Sequence, residues 1–130
     1  GLAQLDHIDE LQLIRKQIWD TYQKEFLNCG WLQTSVDANN DSLHSYFTYC
    51  IRVKNRDELA HYLLENDVYT TLRYHPLHLN PLYRQTDVKL PNCERLNEEC
   101  LSIPIHPRLT INDVDKIVTL IKNFGRNHGF

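Results

Sequence analysis

The densest concentration of chemically capable side chains lies between residues 73 and 84, Arg73-Tyr74-His75-Pro76-Leu77-His78 followed by Leu79-Asn80-Pro81-Leu82-Tyr83-Arg84. Two arginines, two histidines and two tyrosines fall in this stretch, directly after a run with strand character. Strand ends and the loops after them are where binding side chains collect. A guanidinium offers a planar fork of donors suited to a phosphate or a carboxylate. On a strand, Arg73 alternates with Leu72, so if Leu72 faces a core, Arg73 faces away from it. His78 follows Pro76, whose fixed backbone angle limits the loop and helps hold the imidazole in place. These residues alone admit two readings, a binding loop or a proline-stiffened surface loop with ordinary polar side chains.

Other chemistry is sparse. The four glycines are scattered, so no phosphate-cradling loop exists, and there is no GxSxG, no HExxH and no acidic pair in a recognisable frame. Cys29, Cys50, Cys93 and Cys100 form no CxxC pair. They read as buried free thiols of a cytosolic protein. A zinc site built with the seven histidines is the alternative, against which the ligand spacing speaks. Cys93 and Cys100, seven apart, fall on one face of a helix.

The elements that must hold the cluster follow from periodicity. Leu5, Ile8, Leu11, Ile18, Tyr22 and Phe26 recur at threes and fours, predicting one helix over residues 2–26, closed by Cys29-Gly30. Its start lacks a Ser, Thr, Asp or Asn cap and reads as cut within a helix. Residues 31–44 are polar and irregular, with Asp37-Ala38-Asn39-Asn40-Asp41 as a loop tip. Ser45–Val53 is a strand with Phe47, Tyr49, Ile51 and Val53 on one face. Asn55 caps a helix in a box with Glu58, and Leu59, Tyr62 and Leu63 form its inner face. Val68–Tyr74 is a second β-rich run. Pro76, Asn80, Pro81 and Asp87 mark a loop with one helical turn. Pro91 opens a short helix through Glu99. Leu101, Ile103 and Ile105 alternate as a third strand, which Pro104 confines to a sheet edge or its end. Thr110 caps a last helix with Val114, Ile117, Val118, Ile121 and Phe124 inward, and Gly125 ends it. The expected fold is α/β, a two-layer α+β arrangement of about three strands with helices packed on one side.

Bulk properties bound the function. With 130 residues, 42% hydrophobic and 24% charged, the chain fits one domain with its own core. The net charge of −3 and the absence of a basic run argue against nucleic acid and anionic membrane as partners. No apolar stretch approaches the ~20 residues of a membrane span. Asp6, Asp9 and Glu10 interrupt any signal-like segment at the N-terminus, so a cytoplasmic location is expected.

Taken in order, the stretches resemble the DegT/DnrJ/StrS sugar aminotransferases, specifically their C-terminal small domain. Gly1-Leu2-Ala3-Gln4-Leu5, Ile8-Asp9-Glu10 and Arg15 are similar to the helix leading into that domain. His44-Ser45-Tyr46-Phe47-Thr48-Tyr49 with Ile51-Arg52-Val53 resembles its first strand, and Arg56-Asp57-Glu58-Leu59 with Leu63-Leu64 its next helix. Thr70 to His78 looks like its active-site-facing loop. Leu90-Pro91-Asn92-Cys93-Glu94, Leu101 to Pro107, Leu109-Thr110 and Asp113-Val114 complete the match. Many members carry His where Arg73 and Phe47 stand, and a longer loop at 73–78, which places this chain in a subgroup.

The resemblance implies residues 1–28 as a connecting helix and 45–130 as a sheet-and-helix body within one domain. It implies that Arg73, Tyr74, His75 and His78 bind the substrate or its phosphates. It also implies a pyridoxal-phosphate (PLP) enzyme that moves an amino group from glutamate to a nucleotide-linked keto sugar and works as a homodimer. In that family PLP is held by a lysine of a large N-terminal domain. None of Lys16, Lys24, Lys54, Lys89, Lys116 and Lys122 lies in a matching context, so the lysine is expected upstream of Gly1 and this chain alone is expected to be inactive and without cofactor. Two other readings compete, a non-catalytic regulatory member of the same family and a free-standing small-molecule-binding α/β domain. The latter would need a properly capped first helix.

Overall fold

A computed structural model describes residues 1–39, 41–83 and 88–129. Asn40, Arg84 and Asp87, assigned above to loops, lie outside the described residues. The elements run α1 (Leu2–Leu5), α2 (Ile8–Phe26), β1 (Leu32–Gln33), β2 (Tyr49–Val53), α3 (Arg56–Glu65), a 3-10 turn (Leu77–Leu79), α4 (Pro91–Glu99), β3 (Cys100–Ile103) and α5 (Ile111–Asn127).

The first helix is two helices. His7 leaves helical geometry (φ −117°, ψ 12°), and α2 begins after it with Leu11 N donating to the His7 carbonyl. Burial decides which part is anchored. Ile18, Trp19, Tyr22 and Phe26 of α2 are buried, each contributing roughly 1.5–3 kcal/mol, whereas α1 buries nothing and exposes Leu2 and Leu5.

The sheet is antiparallel in the order β1-β2-β3, with Tyr49 opposite Ile103 and Ile51 opposite Leu101. Tyr49, Ile51 and Val53 turn one face of β2 into the core, as their alternation requires. They meet Trp19, Tyr22, Leu59, Leu63, Val118 and Ile121 from α2, α3 and α5, so the sheet and its helices share one hydrophobic core. Tyr22 ties the layers together by donating from its hydroxyl to the Pro104 carbonyl at 2.8 Å.

Four strand boundaries differ from expectation. β1 forms within the stretch expected to be irregular, where Leu32 pairs with Val53 and Gln33 with Arg52. β2 starts at Tyr49 rather than Ser45, because Tyr46 sits at φ +47° and turns the chain. The β-rich run 68–74 makes only an isolated bridge between Thr71 and Ser102. Its side chains suit a strand, but strand preference is realised only against a pairing neighbour, and here only Thr71 reaches β3. β3 spans Cys100–Ile103, so Cys100 opens a strand rather than sharing a helical face with Cys93.

Helix termini also separate into those that follow local chemistry and those set by packing. Thr110 caps α5 with a full capping box, its hydroxyl accepting from Asp113 N and Asp113 accepting from Thr110 N. Asn55 occupies the N-cap of α3, but its amide bonds the Glu58 carboxylate instead of a backbone N–H. Gly125 does not end α5, which continues to Asn127. It is buried against the Trp31 indole. Among the described residues, no helix is long and apolar enough to cross a membrane.

Candidate functional site

Thr71 positions the loop that follows it. Its N–H donates to the Ser102 carbonyl at 3.0 Å, and Ser102 N–H returns the bond at 2.9 Å, clamping the segment to the free edge of β3. Beyond this clamp the chain leaves the sheet. Leu72 is 59% exposed rather than buried, so the expected alternation of Leu72 inward and Arg73 outward is not realised. Both side chains are exposed, and Arg73 turns toward Phe47 with its guanidinium carbon 5.4 Å from the ring centroid.

Arg73 and Phe47 line a cleft of about 550 Å³. Its floor is the Ser102–His106 segment, and Thr48 joins that floor through a 3.3 Å contact between its hydroxyl and that of Ser102. Arg15 from α2 and Lys116 from α5 also line the cleft. Two carboxylates, Asp67 and Asp113, stand among these cations. Asp113 is engaged in capping α5, taking bonds from Thr110 N at 2.8 Å and Thr110 Oγ1 at 2.7 Å. These bonds, the hydroxyl first, hold its carboxyl below the usual range. Arg15, Arg73 and Lys116 stand against two ionised carboxylates, leaving one formal positive charge in excess, and the cleft favours an anion.

The other expected site residues are distributed differently. Tyr74 and His75 are exposed beside Arg73. Pro76 is buried and anchors the turn at Leu77–Leu79. His78 is not brought to the cleft with Arg73. Its side chain is 8% exposed, and its Nε2 lies 3.0 Å from Glu94 Oε1 at the start of α4. The same oxygen accepts from Leu90 N at 2.9 Å. The imidazole is thus spent on fastening the loop to α4, a contact between residues too far apart in sequence to be visible as a pattern. Arg15, Phe47, His106 and Lys116 were not singled out by their own chemistry. They come from four separate segments, and only folding gathers them.

The six lysines test whether this chain could anchor PLP. None is buried. Lys16 pairs with Asp20 and Lys122 with Glu25, each at 2.6 Å. Lys116 lines the cleft from an exposed face of α5. A covalently held cofactor needs a lysine in an enclosed, tuned environment, and this chain by itself encloses none of the six.

Known proteins share this fold. An aminotransferase, TlmJ, from Streptoalloteichus hindustanus superposes on the whole chain with a TM-score of 0.93 at 30% identity, and the chain covers 35% of it. A DegT DnrJ EryC1 StrS aminotransferase from Brucella abortus superposes with a TM-score of 0.82 at 29% identity, over 95% of this chain and 34% of that one. The dTDP-4-dehydro-2,3,6-trideoxy-D-glucose 4-aminotransferase of Saccharopolyspora spinosa is 28% identical over 98% of this chain. The spore coat polysaccharide biosynthesis protein SpsC of Bacillus subtilis (strain 168) is 26% identical over 95%. This chain spans about a third of the length of each relative, 34% in both of these cases. The profile of the DegT/DnrJ/EryC1/StrS aminotransferase family matches residues 1–122, and the chain belongs to that family.

Proposed function

We propose that this chain is the C-terminal, substrate-facing part of a PLP-dependent aminotransferase that transfers an amino group from glutamate to a nucleotide-linked keto sugar. The product would enter cell-surface polysaccharide or antibiotic sugar synthesis in the cytoplasm. PLP and its lysine belong to the remaining two-thirds of the protein, and the working enzyme is a homodimer. When bound, PLP supplies the electron sink for amino transfer. The residues described here orient the sugar substrate.

The observation that carries this reading is Arg73 in a cation-rich cleft, within a chain that matches the family over residues 1–122. Arg73 takes a phosphate oxygen of the nucleotide-linked sugar, with Tyr74 and His75 exposed alongside it. His78 acts on the loop rather than on the substrate, through Glu94. The family's small-molecule chemistry and the anion preference of the cleft point to the same ligand class.

The test is a pair of half-reactions in the full-length enzyme carrying Arg73→Ala. Loss of one charged hydrogen bond should lower kcat/KM for the keto sugar by about 10- to 150-fold. The glutamate half-reaction should change less than about threefold by the same reasoning, because Arg73 is not placed on the amino donor. Unchanged sugar kinetics would show that the loop is structural.

A further inference from the structure

Phe47 is a large apolar ring that is 59% exposed and contributes nothing to the core. Its backbone is nevertheless firmly placed. Tyr46 on one side packs 5.5 Å from Trp19, and its N–H donates to His44 Nδ1 at 2.8 Å. Tyr49, two residues beyond, is fully buried. Core packing therefore explains where Phe47 is held, and not why a phenyl ring is displayed there.

The Arg73 guanidinium lies over that ring at 5.4 Å. Among the described residues, no carboxylate, carbonyl or other acceptor bonds to Arg73, whose five N–H donors make no protein hydrogen bond there. The two ways of holding an arginine have opposite consequences. A carboxylate would grip the N–H edge and consume the donors that an anionic ligand needs. An aromatic ring attracts the cation through its electron-rich face and accepts no carboxylate-type hydrogen bond, so the N–H donors stay available.

We propose that Phe47 is a positioning residue for Arg73, holding the guanidinium beside its ring so that the N–H donors stay free for a phosphate group in the cleft. This rests on the reading that Arg73 receives a phosphate of the substrate. The ring supplies orientation without competing for the donors, and reduces the side-chain freedom that binding would otherwise remove. Phe47 itself makes no contact with the reacting atoms.

The experiment measures inorganic pyrophosphate binding to the full-length enzyme by calorimetry, in the wild type and in Phe47→Leu, Phe47→Tyr, Arg73→Ala and the Phe47→Leu/Arg73→Ala pair. An exposed cation–π contact corresponds to about a two- to sixfold change, so Phe47→Leu should weaken binding by that factor. Phe47→Tyr keeps the ring and should stay within about twofold of wild type on the same basis. In the Arg73→Ala background, Phe47→Leu should have no further effect. Equal effects of Phe47→Leu in both backgrounds, failure of Phe47→Tyr to restore binding, or no pyrophosphate binding by the wild type would each overturn the inference. The sugar half-reaction of Arg73→Ala decides the underlying functional reading separately. An impaired Arg73→Ala with additive Phe47→Leu sinks the inference alone.

Discussion

His78 Nε2 stands 3.0 Å from Glu94 Oε1, joining the loop after Thr71 to the first turn of α4. The Leu90 N–H first, and His78 second, hold the Glu94 carboxyl below its usual value of 4.5. A carboxylate whose folded value is depressed stabilises the fold above its unfolded value and loses that contribution as pH falls through the folded value. The attachment should therefore be intact at neutral pH and weaken only as the pH falls below the ordinary Glu value of 4.5. Amide exchange at Leu79 and Asn80, which donate to Pro76 and Leu77 carbonyls, should lose protection over that range. Glu94→Gln should show the same loss already at pH 7. Protection that is constant from pH 7 to pH 3 would contradict this.

Gly125→Ala tests the packing of α5. In an open helix interior this change stabilises by about 1 kcal/mol. Here the added Cβ would lie 2.6 Å from Trp31 Cε2, well inside contact distance. The indole ring is not a flexible tip, so it must move as a body. Overpacking of this kind costs about 1–3 kcal/mol and outweighs the helix preference. Thermal unfolding should show a lower Tm for Gly125→Ala, and a raised Tm would mean that Trp31 yields freely.

The elements that could be read from the sequence are those whose signal is local. Thr110 and Asp113 mark the start of α5 because both halves of the capping box lie within four residues. Tyr49, Ile51 and Val53 reveal β2 by alternation alone. β1 could not be read, since two residues carry no period and Leu32–Gln33 become a strand only through Arg52 and Val53. Residues 68–74 misled for the converse reason, having strand-forming side chains but only one pairing partner. Arg73 stood out as a chemically capable side chain, whereas its setting did not. Arg15, Phe47, His106 and Lys116 come to the same cleft only through tertiary packing, and Gly125, within α5, packs against Trp31.

Thiol reactivity separates the cysteines. Cys50 is partly buried on β2, and burial together with the neighbouring Cys100 thiol pushes it up to about 12. Since the thiolate is the nucleophile, Cys50 should be nearly inert at pH 8. Cys93 is exposed on α4 and should react first. Alkylation with iodoacetamide followed by peptide mass spectrometry should place early label on Cys93, and modification of Cys50 at a matching rate would contradict the assignment.

The proposed division of labour puts the substrate on this chain and PLP on another part of the protein. Borohydride reduction of the full-length, PLP-loaded enzyme, followed by peptide mapping, tests it directly. One pyridoxyl-lysine is expected, located outside residues 1–130. Label on Lys16, Lys24, Lys54, Lys89 or Lys122, or above all on Lys116 at the cleft, would contradict it.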